Sequence, residues 1–126
     1  MNVADLKVLI ENLKTFINRS KYNSQLEKIL HDTFIKEELD YVYAIILDLP
    51  NIYCNVLDYC VQYLLETIQE INNIIISIDA VLENYYNSYF SYFRSPNIYY
   101  WIEKLHYIKK PLNSRAQRFF NIAKVV

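Results

Sequence analysis

Two histidines, two cysteines and fourteen carboxylates are the groups in this chain that could do chemistry. Their spacing gives them little to do. His31 and Asp32 are adjacent, and neighbours on a helix point about 100° apart, so they cannot form a proton relay. His106 stands between Leu105 and Tyr107 in a helical stretch and reads as a surface or interface histidine. Glu66/Glu70 and Asp79/Glu83 are i,i+4 carboxylate pairs able to share a divalent cation. A di-metal bundle would also want Glu-x-x-His from two helices, which the chain lacks, so these acids read as a solvated helix face. Cys54 and Cys60 sit six apart. On one helix that is about 120° of rotation and about 9 Å of rise, wrong for a disulfide, and both read as small buried apolar residues. Glycine is absent from all 126 residues, which removes the Gly-rich phosphate loop and the Gly-x-Ser-x-Gly elbow. His-Glu-x-x-His and paired Cys-x-x-Cys are missing too. The expectation is a protein with no catalytic residue, no metal ligand and no cofactor, which takes no small-molecule substrate.

Charge is laid out unevenly. Residues 1–36 hold six Lys/Arg and four Asp/Glu. Residues 37–93 hold nine acids and no Lys or Arg, whereas residues 94–126 hold seven bases against Glu103 alone. Such asymmetry usually reports an interaction. The basic C-terminal helices can pack beside the acidic middle of the same molecule. They can instead meet the acidic middle of a second subunit, or a polyanion such as nucleic acid or a membrane surface. The polyanion reading names Arg94, Lys104, Lys109, Lys110, Arg115, Arg118 and Lys124, interleaved with Tyr99, Tyr100, Trp101, Tyr107, Phe119 and Phe120. Lys and Arg would meet phosphates while aromatics stack on unpaired bases. A narrower version is a helix-turn-helix over 97–125, turning at 109–113, with Ser114, Arg115, Gln117, Arg118 and Asn121 on the reading face.

The elements that must position these groups are helices. Cys54, Leu57, Val61, Leu64, Ile68, Ile71, Ile75, Ile78, Leu82, Tyr85, Tyr89 and Tyr92 recur at alternating spacings of three and four, the signature of a seam that packs on other helices. Leu57 through Tyr85 are the candidate self-association residues. Leu65, Ile74, Val81 and Tyr86 widen the stripe beyond what a two-stranded coiled coil needs, so a bundle fits better. A helix of 39 residues would span about 58 Å, against about 36 Å for the diameter of a compact chain of this length. The helix therefore either breaks at Asn72-Asn73 or Asn84–Asn87, or is covered by a second subunit; the unbroken phase favours the second subunit.

Before it, 3–17 reads as an amphipathic helix and Asn18-Arg19-Ser20 as a turn. Ser24 is placed to cap a second helix, with Glu27 completing a capping box. That helix either runs on or breaks near Asp32-Thr33, and Pro50 ends the stretch. After the seam, Ser95 and Pro96 open a helix over 97–109, Pro111 breaks it, and a last helix covers 113–125. The fold class expected is all-α: one domain, 1–126, five or six helices around one long central helix at about residues 51–93.

Ile, Asn and Tyr supply 43 of the 126 residues, as an AT-rich genome, viral or mobile-element, would produce. Asp5, Lys7 and Glu11 interrupt any secretory apolar region, and there is no uncharged apolar run long enough to span a membrane. The expectation is an intracellular, cytoplasmic protein (host cytoplasm if viral). Its function reads as non-enzymatic contact with a protein partner and with itself through the seam, as inhibitor, adaptor or structural subunit. The alternative is nucleic-acid binding through 94–126.

Overall fold

These periodicities become five helices in the computed structural model, which describes residues 3–48, 55–88 and 97–125. In order they are α1 (Val3–Arg19), α2 (Asn23–Asp32), α3 (Ile35–Asp48), α4 (Asn55–Tyr86) and α5 (Tyr99–Ala123). Among the described residues there is no strand, and no helix is long and apolar enough to cross a membrane.

The chain is all-α because each helix carries an apolar stripe and has a neighbour to bury it on. In α1, Leu6, Ile10, Leu13 and Ile17 are buried at spacings of four, three and four. Leu26 and Leu30 do the same for α2, and Ile35, Leu39, Val42 and Ile46 for α3. Cross-helix contacts fix the directions. Lys14 pairs with Asp40 and Glu11 accepts from Tyr43, so α1 and α3 are antiparallel. Phe34 meets Lys109, Glu38 accepts from Asn113, and Tyr41 packs on Phe120, so α3 and α5 run parallel. α4 packs on α5, α1 and α2.

Several local expectations change. α2 has Tyr22 rather than Ser24 as its N-cap and no side-chain capping bond. The Leu26 N–H already bonds the Tyr22 carbonyl at 3.0 Å, so the helix starts two residues early, and the Ser24 hydroxyl turns to Asn23 Oδ1 at 3.4 Å. The stretch from α2 to α3 does break. Thr33 Oγ1 donates to the Ile29 and Leu30 carbonyls (2.8 and 3.2 Å), which satisfies a buried hydroxyl, and Phe34 then turns the chain at φ 62°. With no glycine in the chain, a bulky residue takes the left-handed position, at about 1–2 kcal/mol. Lys109 Nζ lies 4.4 Å from the Phe34 ring centroid, an offset of about 0.5–1 kcal/mol. Phe34→Gly is therefore expected to be more stable than Phe34→Ala by about 1 kcal/mol in urea unfolding, the reverse of the order inside a helix.

The predicted break at Pro111 does not occur: α5 runs through it. An interior proline costs about 3 kcal/mol. On both sides of it Leu105, Ile108, Leu112 and Phe119 are buried, and each such side chain contributes about 1.5–3 kcal/mol, so packing outweighs the lost bond. The Tyr107 carbonyl, whose partner the proline removes, belongs to a residue that is 79% exposed and can be hydrated. The turn required by a helix-turn-helix at 109–113 is thereby absent.

α4 passes Asn72-Asn73 without interruption and ends at Tyr86, with Asn87 in the following turn. Its 32 residues span about 48 Å. The ends of the longer helix expected over 51–93, with Cys54, Tyr89 and Tyr92, lie outside the described residues. So do the proposed Pro50 stop and the Ser95-Pro96 start.

Candidate functional site

The seam is where the largest apolar side chains of α4 converge. Leu57, Val61, Leu64, Ile68, Ile71, Ile75, Ile78 and Leu82 are all buried within one chain, none more than 4% exposed. Tyr85 is half-buried. Cys60, Leu65, Thr67 and Ile74 are buried beside them, so the stripe is wide enough to serve two neighbours, α1 and α5. A second copy could reach these residues only by displacing helices of the same chain.

Toward its C-terminal end α4 holds the α1–α2 turn through the carboxylates expected to be a solvated face. Ser20 Oγ donates to Asp79 and itself accepts from the Tyr22 N–H at 3.0 Å. Tyr22 OH donates to Glu83 Oε2 at 2.7 Å, Lys21 Nζ lies 3.6 Å from Oε1, and Asn87 donates to Oε1 at 3.0 Å. The Tyr22 ring stacks on Tyr86 with centroids 5.4 Å apart. A cleft of about 310 Å³ lies along this clasp, lined by Phe16, Arg19 and the clasp residues. Nothing local in the sequence pairs residues 59 to 64 positions apart, so the clasp is not legible there.

The clasp titrates at both ends. The hydrogen bond from Tyr22, then that from Asn87, with help from Lys21, hold the Glu83 carboxyl below its ordinary value of 4.5. The bond to Glu83, some desolvation and the charges of Glu83 and Asp79 push Tyr22 up to about 12 from 10.0. A lowered carboxylate contributes stability above its unfolded value and loses it as pH falls through the folded one. A raised phenol contributes below 10 and loses it as pH rises towards 12. The difference in urea midpoint between wild type and Tyr22→Phe is therefore expected to be largest between pH 4.5 and 10 and to shrink on either side.

Both histidines lie at the surface. His31 Nδ1 lies 3.2 Å from Glu37 Oε1 across the α2–α3 turn, with both side chains exposed, and His106 is exposed on α5. Among the described residues, no three His, Cys, Asp or Glu side chains converge as a metal site would require.

The basic residues of α5 divide. Lys109 lies over Phe34; Arg115 reaches the Tyr63 carbonyl at 3.3 Å and the Thr67 hydroxyl, with its guanidinium over the Tyr63 ring. Lys104 lies over Tyr100 and Trp101, and Lys124 over Phe120. Lys110 and Arg118 are exposed. Arg94 lies outside the described residues. Among the described residues, ion pairs join Lys7, Lys14, Lys21 and Lys28 to acids, and none uses a base of α5. The acidic and basic helices thus pack side by side without neutralising each other pairwise. Arg118 and Arg115 share a shallow cavity of about 120 Å³ with Cys60 and Tyr63. With Arg115 also on Thr67, this runs α5 antiparallel to α4.

The surface left uncovered is aromatic. Tyr99, Tyr100 and Tyr107 are exposed on α5, and Val56, Tyr59 and Tyr63 on α4. The α4 trio also recurs at spacings of three and four, a signal in the sequence that the stronger seam beside it overshadowed. Comparison of the chain with protein-family models, curated proteins and solved structures gives no match.

Proposed function

We propose that this chain is a non-enzymatic helical protein that works by contact with other proteins, a second copy of itself included, as an inhibitor, adaptor or structural subunit. Its fold is a bundle organised around α4, the longest helix, supported by the packing of α4 on α5, α1 and α2. The observations that carry the reading are the exposed tyrosines of α4 and α5 and the bases of α5, none of which forms an ion pair among the described residues. Tyrosine and arginine are the side chains that most often carry binding energy at protein interfaces, and a near-neutral molecule with faces of opposite charge favours its own kind over a uniformly charged partner.

The test is light scattering on a size-exclusion column at low and moderate salt, with and without a short nucleic-acid duplex. The expected result is an oligomer at low salt whose elution the duplex does not change. A monomer under every condition would contradict self-association. A second reading, nucleic-acid binding, is favoured by α5, where the exposed Tyr100 and Tyr107 alternate with Lys104 and Lys110. It predicts co-elution with nucleic acid at low salt, lost when Lys104, Lys110, Arg118 and Lys124 are neutralised.

A further inference from the structure

One face of α4 carries an exposed stripe whose spacing is symmetric. Val56, Tyr59, Tyr63, Glu66, Glu70 and Asn73 follow one another at spacings of three, four, three, four and three. All six are exposed, Val56, Tyr59 and Tyr63 by 53%, 69% and 45%. Those spacings read the same in both directions. An antiparallel second α4 therefore brings every member of the stripe opposite another, Val56 to Asn73, Tyr59 to Glu70 and Tyr63 to Glu66, about a twofold axis between residues 64 and 65. No other register pairs all six.

Two of the three pairings are chemically matched. Each tyrosine hydroxyl meets a carboxylate that can accept from it, a bond this chain already makes twice, Tyr22 to Glu83 at 2.7 Å and Tyr43 to Glu11 at 3.0 Å. Among the described residues, Glu66 accepts from Gln62 of its own helix, at 3.1 Å. Glu70 has no ion-pair partner among the described residues, and neither has Arg118. Arg118 shares the cavity beside Cys60 and Tyr63, level with the half of the stripe that would face Glu66 and Glu70 of the second copy. Arg115 is stacked on Tyr63 and stiffens that anchor. The charge imbalance left between α4 and α5 within one chain is thereby neutralised between two.

We infer that the outer stripe of α4, flanked by Arg118, is a self-recognition surface that joins two copies as an antiparallel, twofold-symmetric dimer. This rests on the reading above that the protein self-associates, and adds where and in which register. Sedimentation equilibrium of the full chain at low salt tests it with Glu70→Arg and Arg118→Glu, both at exposed positions, with far-UV circular dichroism to confirm folding. Each variant alone is expected to weaken the dimer at least tenfold, because its interface then carries like charges. Mixing the two restores the dimer, since each then meets its opposite, and so does the double exchange in one chain. An oligomer indifferent to both single variants, or one not restored by the mixture, would overturn this surface while leaving self-association standing. A wild-type monomer at all concentrations would overturn both.

Discussion

Ile71→Asp, or equally Ile75→Asp, is expected to leave the chain unfolded at 25 °C. Both side chains are 0% exposed, and the segment 37–93 around them holds no Lys or Arg to pair with a new carboxylate. Losing the isoleucine removes about 1.5–3 kcal/mol of burial. Placing an unpartnered polar group there costs about 2–7 kcal/mol more, even if the carboxyl protonates. The total approaches the whole stability of a domain this size, about 5–15 kcal/mol. Far-UV circular dichroism and urea titration check it. A variant that still unfolds cooperatively and has lost under about 1 kcal/mol would mean that this face of α4 is not the interior. Because both residues are interior to one chain, loss of the fold is the first consequence.

Phe119→Ala is expected to cost about 3–5 kcal/mol. Phe119 is the largest of the fully buried side chains, and it follows Leu112 and Ala116 on the buried side of α5. That burial is what carries α5 through Pro111, so the same change should also loosen the last two turns. Its control is Tyr107→Ala, at a position 79% exposed, which should stay within about 0.5 kcal/mol of wild type. Urea unfolding at constant slope separates the two; equal effects would show that α5 does not dock as described.

Periodicity made the helices legible because burial of a stripe is written at spacings of three and four wherever the stripe is continuous. The seam from Leu57 to Leu82 is the clearest case: its spacing marks positions that pack on other helices, these residues are buried, and only the fold says against what. Length alone suggested that α4 would overhang its own chain. The overhang is met at one end by the clasp of Ser20 and Tyr22 on Asp79 and Glu83, and at the other by Arg115 beside Tyr63 and Thr67. These pairs are far apart in sequence, and no local pattern announces them. Pro111 and Ser24 misled because each is a local preference worth at most a few kcal/mol, set against the burial of several side chains in α5 and an early helix start in α2. The charge layout was legible, but not its use: Lys109 and Arg115 are turned inward onto Phe34 and Tyr63, whereas Arg118 is left outside. Val56, Tyr59 and Tyr63 were passed over because exposure, not spacing, separates an outer stripe from a core one.

The apolar face of α4 is buried within a single chain, and the proposed contact with other chains is made by the opposite face. Native-state hydrogen exchange across dilution tests this most directly. The amides of Leu57 through Leu82 should remain protected, exchanging only with global unfolding, at concentrations where light scattering finds monomer alone. Protection of those amides that disappears as an oligomer dissociates would contradict it, and would return the seam to the interface.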